Sequence, residues 1–311
     1  PLIPAPPTPP PYTATHTLSQ HDALPICVIN TDAVTLSGEL SGTGSLSKDG
    51  VGTLTISGTQ TGTGEMSILD GTLEVAGDAN LLAGALTLNG GALSVTGATT
   101  IDNAIELSSA GSITNLDMVS LSGTISGTGD LNKFGAGTLI LSGTQTGTGS
   151  MTVSAGSLAV AGDANLLAGS LILNGGALSI TGASTIDNSV TLGANGGVVN
   201  STATATLSGA VSGSGSLTKT GNGTLTLSGN NTYTGTTTIS EGSLAVAGGN
   251  GISDNSAVIV QSGATLHVEL TDETIGSLAG AGTGGAGAPV RGELLRRCTG
   301  CASGGHCPAP E

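Results

Sequence analysis

The chain has 311 residues and a formal net charge of −15 at pH 7, with six lysines and arginines against 21 aspartates and glutamates. This charge excludes binding to nucleic acid and to anionic lipid, because both need clustered cations. With 37% hydrophobic residues and a mean hydropathy of +0.27, the chain is too apolar to be disordered. It contains 54 glycines but only three aromatic residues, so aliphatic side chains must fill its interior.

Composition divides the chain into three parts. Residues 1–27 contain eight of the 11 prolines and show neither periodicity nor the basic start of a signal peptide, so we predict a non-native or disordered leader. Residues 28–288 are the body and contain no proline. Residues 289–311 contain all three arginines and three of the four cysteines, and we predict an unstructured or out-of-frame tail.

The body repeats itself at a period of 85 to 86 residues. The string SGTQTGTG at 57–64 recurs at 142–149, and VAGDANLLAG at 75–84 recurs at 160–169. A third copy is recognisable from Leu207. We therefore expect three units, at about 34–118, 119–204 and 205–288, in a solenoid or array.

Within each copy apolar residues alternate with threonine and serine, which predicts half-buried β-strands. Equivalent strands recur about every 20 residues, at Leu54, Leu73, Leu93 and Ile113 in one copy and at Leu139, Leu158, Leu178 and Val198 in the next. This step matches one coil of a parallel β-helix, and the repeat would span about four coils. The absence of proline fits continuous strand ladders. An all-β sandwich is the alternative fold.

Residues 213–244 carry the resemblance to a known family. They read GSGSLTKTGNGTLTLSGNNTYTGTTTISEGSL, which resembles the passenger-associated β-strand repeat of bacterial autotransporters. Residues 42–75 and 127–160 match the first half of that pattern, but QTGTG replaces the segment NTYxG of the second half. The resemblance covers most of 34–283. It carries no information about the ligand, since these repeats occur in passengers with many roles.

The resemblance implies a right-handed, single-stranded parallel β-helix of pectin-lyase-like architecture, displayed outside a Gram-negative-type cell. Whole family members add a signal peptide and a C-terminal β-barrel translocator. We expect the chain to be a fragment whose parent-chain barrel, missing here, attaches it to the outer membrane. The body lacks cysteine between Val28 and Arg297, which fits passage through an oxidising periplasm. The exposed ends of such a fragment would associate end to end.

Two groups of polar residues in the body are candidate sites. Lys48, Lys133 and Lys219 recur two residues after a leucine, and they would either bind acidic glycans or, as we expect, sit at strand ends and oppose edge pairing. The acidic and amide residues at corners would either hold calcium or, as we expect, satisfy backbone groups in turns; these are Asp78, Asp163, Asp102, Asn103, Asp187 and Asn188.

The remaining motifs are weak. Cys298, Cys301, His306 and Cys307 superficially suggest zinc, but they fall in the tail and match no known spacing. His267 lies between two apolar residues and is predicted to be an ordinary strand residue. The glycine-rich stretch 280–285 is not followed by a predicted helix, so phosphate binding is not expected. We assign no catalytic, cofactor-binding or metal-binding residue.

The sequence therefore predicts a β-helical stalk or adhesin, surface-displayed or secreted, that mediates autoaggregation or attachment and is not an enzyme. Its expected partners are its own translocator, further copies of the rod, and host or surface glycans. A polysaccharide-acting β-helix enzyme of the pectate-lyase type is the alternative, although the body offers few cations for such chemistry. Ice or crystal-surface binding by Thr224, Thr226, Thr236 and Thr238 is a third interpretation.

Overall fold

The computed structural model describes residues 12–14, 18–19, 25–248, 250–268, 273–286 and 290–291. These residues form two compact units, one ending at Met151 and one beginning at Thr152. Within the described ranges the regular structure consists of short strands and two 3₁₀ turns, η1 (Asp78–Asn80) and η2 (Asp163–Asn165). No helix there is long and apolar enough to cross a membrane. The predicted boundaries of the leader, body and tail remain predictions.

The strands of the first unit, with one that straddles the division, are β1 (Tyr12–Ala14), β2 (Leu18–Ser19), β3 (Ile26–Ile29), β4 (Val34–Leu36), β5 (Leu40–Ser41), β6 (Leu46–Asp49), β7 (Thr53–Ile56), β8 (Met66–Ile68), β9 (Thr72–Val75), β10 (Leu86–Leu88), β11 (Ala92–Val95), β12 (Thr99–Ile101), β13 (Ile105–Leu107), β14 (Gly111–Asn115), β15 (Val119–Leu121), β16 (Ile125–Gly127), β17 (Leu131–Phe134), β18 (Thr138–Leu141) and β19 (Met151–Val153).

The strands of the second unit are β20 (Ser157–Val160), β21 (Leu171–Leu173), β22 (Ala177–Ile180), β23 (Ser184–Ile186), β24 (Val190–Leu192), β25 (Gly197–Ser201), β26 (Ala205–Leu207), β27 (Val211–Gly213), β28 (Leu217–Thr220), β29 (Thr224–Leu227), β30 (Thr237–Ile239), β31 (Ser243–Val246), β32 (Ala257–Val260), β33 (Thr265–Val268), β34 (Glu273–Thr274), β35 (Ser277–Gly280), β36 (Thr283–Ala286) and β37 (Val290–Arg291).

In the first unit the chain passes repeatedly through three parallel sheets. Sheet 1a has the order β1-β4-β7-β9-β11-β14-β17, sheet 1b has β3-β6-β8-β10-β13-β16, and sheet 1c has β12-β15-β18. The strands β2 and β5 form a further parallel pair. Each strand pairs with the strand about 20 residues away rather than with its neighbour in the chain, as in Leu73 opposite Leu93. This arrangement is a parallel β-solenoid.

The second unit repeats the same architecture. Sheet 2a has the order β21-β24-β27, sheet 2b has β20-β22-β25-β28-β30-β32-β35, and sheet 2c has β23-β26-β29-β31-β33-β36. The strands β34 and β37 form a last parallel pair. The predicted all-β parallel solenoid, with roughly 20 residues per turn, is thus confirmed in both units, and the sandwich alternative is wrong.

The core consists of aliphatic rows that run from turn to turn. Leu54, Leu73, Leu93 and Ile113 lie opposite one another in sheet 1a, as the spacing predicts, and all are buried. In the second unit Leu178 pairs with Val199, so the predicted partner Val198 is wrong by one residue. The cause is one extra residue in the corner between Leu192 and Gly197, compared with the corner between Leu107 and Gly111.

Successive sequence repeats begin on different sheets. Four steps of strand pairing in sheet 1b lead from Lys48 through Ile68, Leu88 and Leu107 to Gly127. Lys133, the counterpart of Lys48 in the next repeat, lies six residues further along the chain and belongs to sheet 1a. One repeat therefore spans four turns and one additional strand. The prediction of about four coils omitted this strand, and with it the rotation of equivalent residues from one sheet to the next.

Candidate functional site

The three recurring lysines lie near the ends of their strands, as predicted, but they are buried, so the prediction that they oppose edge pairing is wrong. Lys48, Lys133 and Lys219 are 1%, 1% and 0% exposed. Each is the third residue of a four-residue strand whose first residue is a buried leucine. Side chains two residues apart on a strand point to the same face. The spacing of each lysine from its leucine was therefore the signal that placed it inside.

Lys48 illustrates how such a lysine is accommodated. Its stem belongs to a core row between Val28 and Ile68. Its Nζ donates to the carbonyl oxygens of Asp49 at 3.0 Å and Asp70 at 3.1 Å, and to that of Gly50. Burial lowers the pKa of Lys48, while the nearby carboxylates of Asp70 and Asp49 oppose that shift. The ammonium group thus closes the corner between sheets 1b and 1a from within.

The other two lysines make equivalent bonds. Lys133 Nζ donates to the carbonyls of Phe134 at 2.8 Å and Gly135 at 2.7 Å. Lys219 Nζ donates to the backbone carbonyls of Thr220 and Gly221, both at 2.7 Å, and to that of Glu241 at 3.2 Å. Burial lowers the pKa of Lys133 to about 8, and it lowers the pKa of Lys219 to about 8 against the opposing charge of Glu241.

A glycine with positive φ completes each lysine corner. Gly50, Gly135 and Gly221 have φ values of 79°, 80° and 78°, in the left-handed region that glycine favours. A Cβ atom at Gly135 would lie 2.2 Å from the Asn115 carbonyl oxygen of the turn before it. Asn115 is itself buried, and its Nδ2 donates to the carbonyls of Asp117 at 2.6 Å and Thr138 at 3.0 Å. The lysine corners are therefore rigid and tightly stacked.

Segments that lack a strand are held by amide side chains. In the segment 57–64, the Oε1 atom of Gln60 accepts from Leu40 N at 2.6 Å and its Nε2 donates to Gly58 O at 2.7 Å. In the third repeat Asn231 Oδ1 accepts from Val211 N at 2.7 Å, and its Nδ2 donates to Gly251 O at 2.6 Å. These bonds replace part of a missing ladder. Sequence reasoning did not single out either amide, although both stand at the same place in the repeat.

The third repeat contains a buried polar cluster. The hydroxyl of Tyr233 lies 2.6 Å from Thr237 Oγ1, which lies 3.0 Å from Ser256 Oγ. Glu273 is 1% exposed, and it accepts from Gly251 N at 3.2 Å. Burial raises the pKa of Tyr233 to about 12 and also raises the pKa of Glu273. These hydrogen bonds link residues on successive turns, Thr237 with Ser256 and Gly251 with Glu273, inside the core.

The corner acids and amides bond to the backbone. Asn103 Nδ2 donates to the carbonyls of Leu82 and Gly84, both at 2.7 Å, and Asn188 makes the same pair of bonds with Leu167 and Gly169. The Oδ1 atoms of Asp78 and Asp163 accept from Asp102 N and Asp187 N, each at 3.3 Å. The predicted role in turns is thus confirmed for Asp78, Asp163, Asn103 and Asn188, whereas Asp102 and Asp187 take part through their backbone N–H groups. In the described part of the chain no group of three or more histidines, cysteines or acids is placed to hold a metal.

Several other predicted residues are not brought together. His267 is an exposed residue of β33. Thr224 and Thr226 lie on sheet 2c, whereas Thr238 lies on sheet 2b and its neighbour Thr237 is buried, so these threonines form no common array. Residues 280–285 span the end of β35 and the start of β36. The four cysteine and histidine residues of the tail lie outside the described residues.

The accessible surface carries negative charge and hydroxyl groups. Among the residues whose side chains are described, every lysine is buried and no arginine occurs. Hydroxyl rows point outward from the sheets, and one row on sheet 1a aligns Thr35, Thr55, Glu74, Ser94 and Thr114. The buried lysines therefore cannot supply the cation that the alternative of a polysaccharide-acting enzyme needs in contact with its substrate.

The comparison with known families gives one match. The family described as passenger-associated-transport-repeat matches residues 46–75, 131–160 and 217–246. The chain carries three passenger-associated-transport repeats, which is consistent with an autotransporter passenger. Each passenger repeat begins at the strand that contains a buried lysine and ends at a buried valine. No curated protein and no solved structure matches the chain significantly. The repeats and the solenoid together fit an autotransporter passenger stalk, and the family implies display at the cell surface or secretion.

Proposed function

We propose that this chain is a stalk segment of a surface-displayed autotransporter passenger and that one of its faces mediates adhesion or autoaggregation. The observation that carries the proposal is the placement of three passenger repeats in parallel β-solenoid units whose core rows are almost fully buried. Its partners would be a β-barrel translocator in the parent chain, other copies of the passenger, and surface glycans.

The solenoid suits a stalk because each turn is paired to the turns on both sides. Each added turn lengthens a unit by about 4.8 Å. Backbone that is hydrogen-bonded in continuous sheets offers proteases few sites, since nicking requires local opening. A stalk of this kind would hold more distal parts of a passenger away from the cell while it resists degradation.

Adhesion is supported by the outward hydroxyl rows. Two rows of the first unit have the same composition, four hydroxyl residues and one glutamate: Thr35, Thr55, Glu74, Ser94 and Thr114 on sheet 1a, and Ser47, Ser67, Thr87, Glu106 and Ser126 on sheet 1b. Regularly spaced polar groups give many weak contacts that add up through multivalency.

The test displays the full chain on a Gram-negative cell by fusion to a β-barrel translocator. One variant carries Thr55→Lys, Ser94→Lys and Thr114→Lys on sheet 1a. The matched control carries Ser67→Lys, Thr87→Lys and Ser126→Lys on sheet 1b. We expect both variants to be displayed and to resist external protease, and one of the two to lose cell settling and surface attachment at least tenfold more than the other.

Loss of display or rapid proteolysis of the unmodified chain would contradict the stalk. Equal effects of the two variants on settling, including no effect of either, would contradict an adhesive face while leaving the stalk intact.

A further inference from the structure

The corner between β14 and β15, together with the end of β17, exposes large apolar side chains. Leu116 and Met118 lie in the corner after β14, and Phe134 lies at the end of β17; they are 71%, 59% and 43% exposed. Phe134 is the only phenylalanine of the chain. We name Leu116, Met118 and Phe134 the Phe134 patch. Exposed clusters of this kind mark interaction sites more often than scattered single residues do.

Register places the three residues around one corner on two successive turns, with Phe134 before the corner and Met118 directly before β15. Phe134 lies opposite Thr114, two residues before Leu116. Gly137 N donates to Asn115 O at 3.0 Å, so the corner that contains Leu116 stacks on the corner that follows Phe134. Neighbouring strands are about 4.8 Å apart, and residues two apart on a strand are about 6.6 Å apart. A bound segment that crosses the corner can therefore contact Phe134 and Leu116 on one side and Met118 on the other.

The three apolar residues do not recur at the equivalent positions of the chain. One repeat period earlier these positions hold Thr31, Ala33 and Asp49, and one period later they hold Thr202, Thr204 and Thr220. The fold thus accepts polar residues at all three positions. The apolar side chains are not needed to build the corner, which Asn115 and Lys133 hold from inside.

Charge decides the kind of partner. Asp117 is exposed between Leu116 and Met118, and all three lysines are buried, so none of them offsets its charge at the surface. A second copy of this chain would bring another acidic surface against the patch, since the net charge is −15. An exposed aromatic ring and a carboxylate both attract cations, whereas leucine and methionine favour an apolar side chain.

We propose that the Phe134 patch binds a protein segment in which aliphatic or aromatic residues alternate with lysine or arginine. The apolar side chains of the partner pack against Leu116, Met118 and Phe134, and their cationic neighbours contact Asp117 and the ring face. The patch lies at a corner, so a partner docks without opening any sheet. This proposal does not depend on the stalk role.

The experiment uses the full chain with ¹³C-labelled methionine methyl groups. The chain has three methionines, and Met66 and Met151 are 2% and 3% exposed, so they are internal controls for the exposed Met118. The probe is a nine-residue synthetic peptide of alternating lysine and leucine. One control peptide replaces leucine with serine, and the other replaces lysine with glutamate.

We expect the lysine–leucine peptide to shift the Met118 signal saturably, to leave Met66 and Met151 unmoved, and to bind at least tenfold more tightly than either control peptide. The double variant Leu116→Thr and Phe134→Thr, which carries the residues found one repeat period later and retains Met118 as the reporter, should lose at least tenfold in affinity. Unshifted buried methionines in that variant would show that it is folded.

Four results would overturn the proposal: no shift of Met118, equal binding of the serine peptide, equal binding of the glutamate peptide, or unchanged affinity of the folded double variant. A shift of Met118 that grows with protein concentration in the absence of peptide would instead identify a second copy of the chain as the partner, and would also overturn it.

Discussion

At the scale of single residues, the buried lysines are the least expected feature of this chain. A buried ammonium group is tolerated only when its donors are satisfied. In each lysine corner the Nζ atom donates to the carbonyl oxygens of the two residues that follow the lysine. The hydrogen bonds to these carbonyls offset part of the unfavourable free energy of burying the lysine charge.

We expect Lys133→Met to destabilise the chain by about 1–3 kcal/mol, since it leaves the Phe134 and Gly135 carbonyls without this donor in a buried corner. Urea unfolding followed by circular dichroism measures the change. The control is Asn132→Ser on the outward side of the same strand, which should change the free energy of unfolding by about 0.5 kcal/mol or less. Equal stability of Lys133→Met and the unmodified chain would refute a capping role.

The lysines also make stability depend on pH. Burial lowers the pKa of Lys133 and of Lys219 to about 8 in the folded chain, below the ordinary lysine value of 10.5. Between these two values the unfolded chain binds more protons than the folded chain. The free energy of unfolding should therefore rise from pH 8 towards pH 10, and it should be insensitive to these lysines below pH 8.

Urea unfolding at pH 7.5, 8.5 and 9.5 tests this dependence. The double variant Lys133→Met and Lys219→Met should flatten the rise. A free energy of unfolding that falls with pH over this range in the unmodified chain would contradict the prediction. A rise that is undiminished in the double variant would show that Lys133 and Lys219 are not its source.

At the scale of elements, corners rather than strands determine where the chain turns. Each strand has only two to five residues, and many corners contain a glycine that fits closely against the turn before it. Strand residues repeat a simple alternation and tolerate exchange of one aliphatic residue for another, whereas corner residues have particular contacts.

Two glycines with similar φ values allow the cost of backbone strain to be measured separately from the cost of close packing. Gly135 has a φ of 80° and would place a Cβ atom 2.2 Å from the Asn115 carbonyl oxygen, while Gly263 has a φ of 84° and would meet nothing within 4 Å. Gly263→Ala should cost about 1–2 kcal/mol through the left-handed conformation alone. Gly135→Ala should cost more than about 4 kcal/mol because the two turns must also separate.

Thermal and urea unfolding of the two variants gives both values. If the two substitutions cost the same, the close stacking of corners contributes nothing measurable beyond backbone strain.

At the scale of the whole molecule, the length of the sequence repeat is not a whole number of solenoid turns. A repeat covers four turns and one further strand, so equivalent residues of successive repeats in the first unit lie on different sheets. Features that recur in the sequence are therefore distributed around the solenoid instead of forming one stripe. The three lysines are an example, because each closes its own corner without stacking on another lysine.

A deletion can test whether the sequence repeat is the modular unit. Removing 131–216 joins Asp130 to Leu217, which is the counterpart of Leu131, and keeps every corner next to its own strand. We expect this variant to retain the β-sheet circular dichroism and cooperative unfolding of the full chain. Removing 131–206 instead joins a corner to the last residue of β26 and should give a protease-sensitive chain.

Retention of cooperative folding by both deletions would show that folding does not require removal of a whole repeat. Loss of folding in both would show that the repeats are not interchangeable.

The sequence by itself determined the alternating strands, their 20-residue step and the parallel solenoid. These follow from local rules: alternation places leucine inside and threonine outside, and like residues stack when the period is constant. The repeat family was indicated separately, by the resemblance of residues 213–244 to a known pattern. Even Lys48 carried a sufficient signal, since its distance of two residues from Leu46 placed it on the inner face.

Only the tertiary structure decided which carbonyls the lysines cap, that Val199 rather than Val198 continues the core row, and that Leu116, Met118 and Phe134 form one patch. All three depend on how residues about 20 positions apart meet across a turn. A single extra residue in a corner changes that register without altering any local pattern, so these contacts become visible only when the turns are stacked.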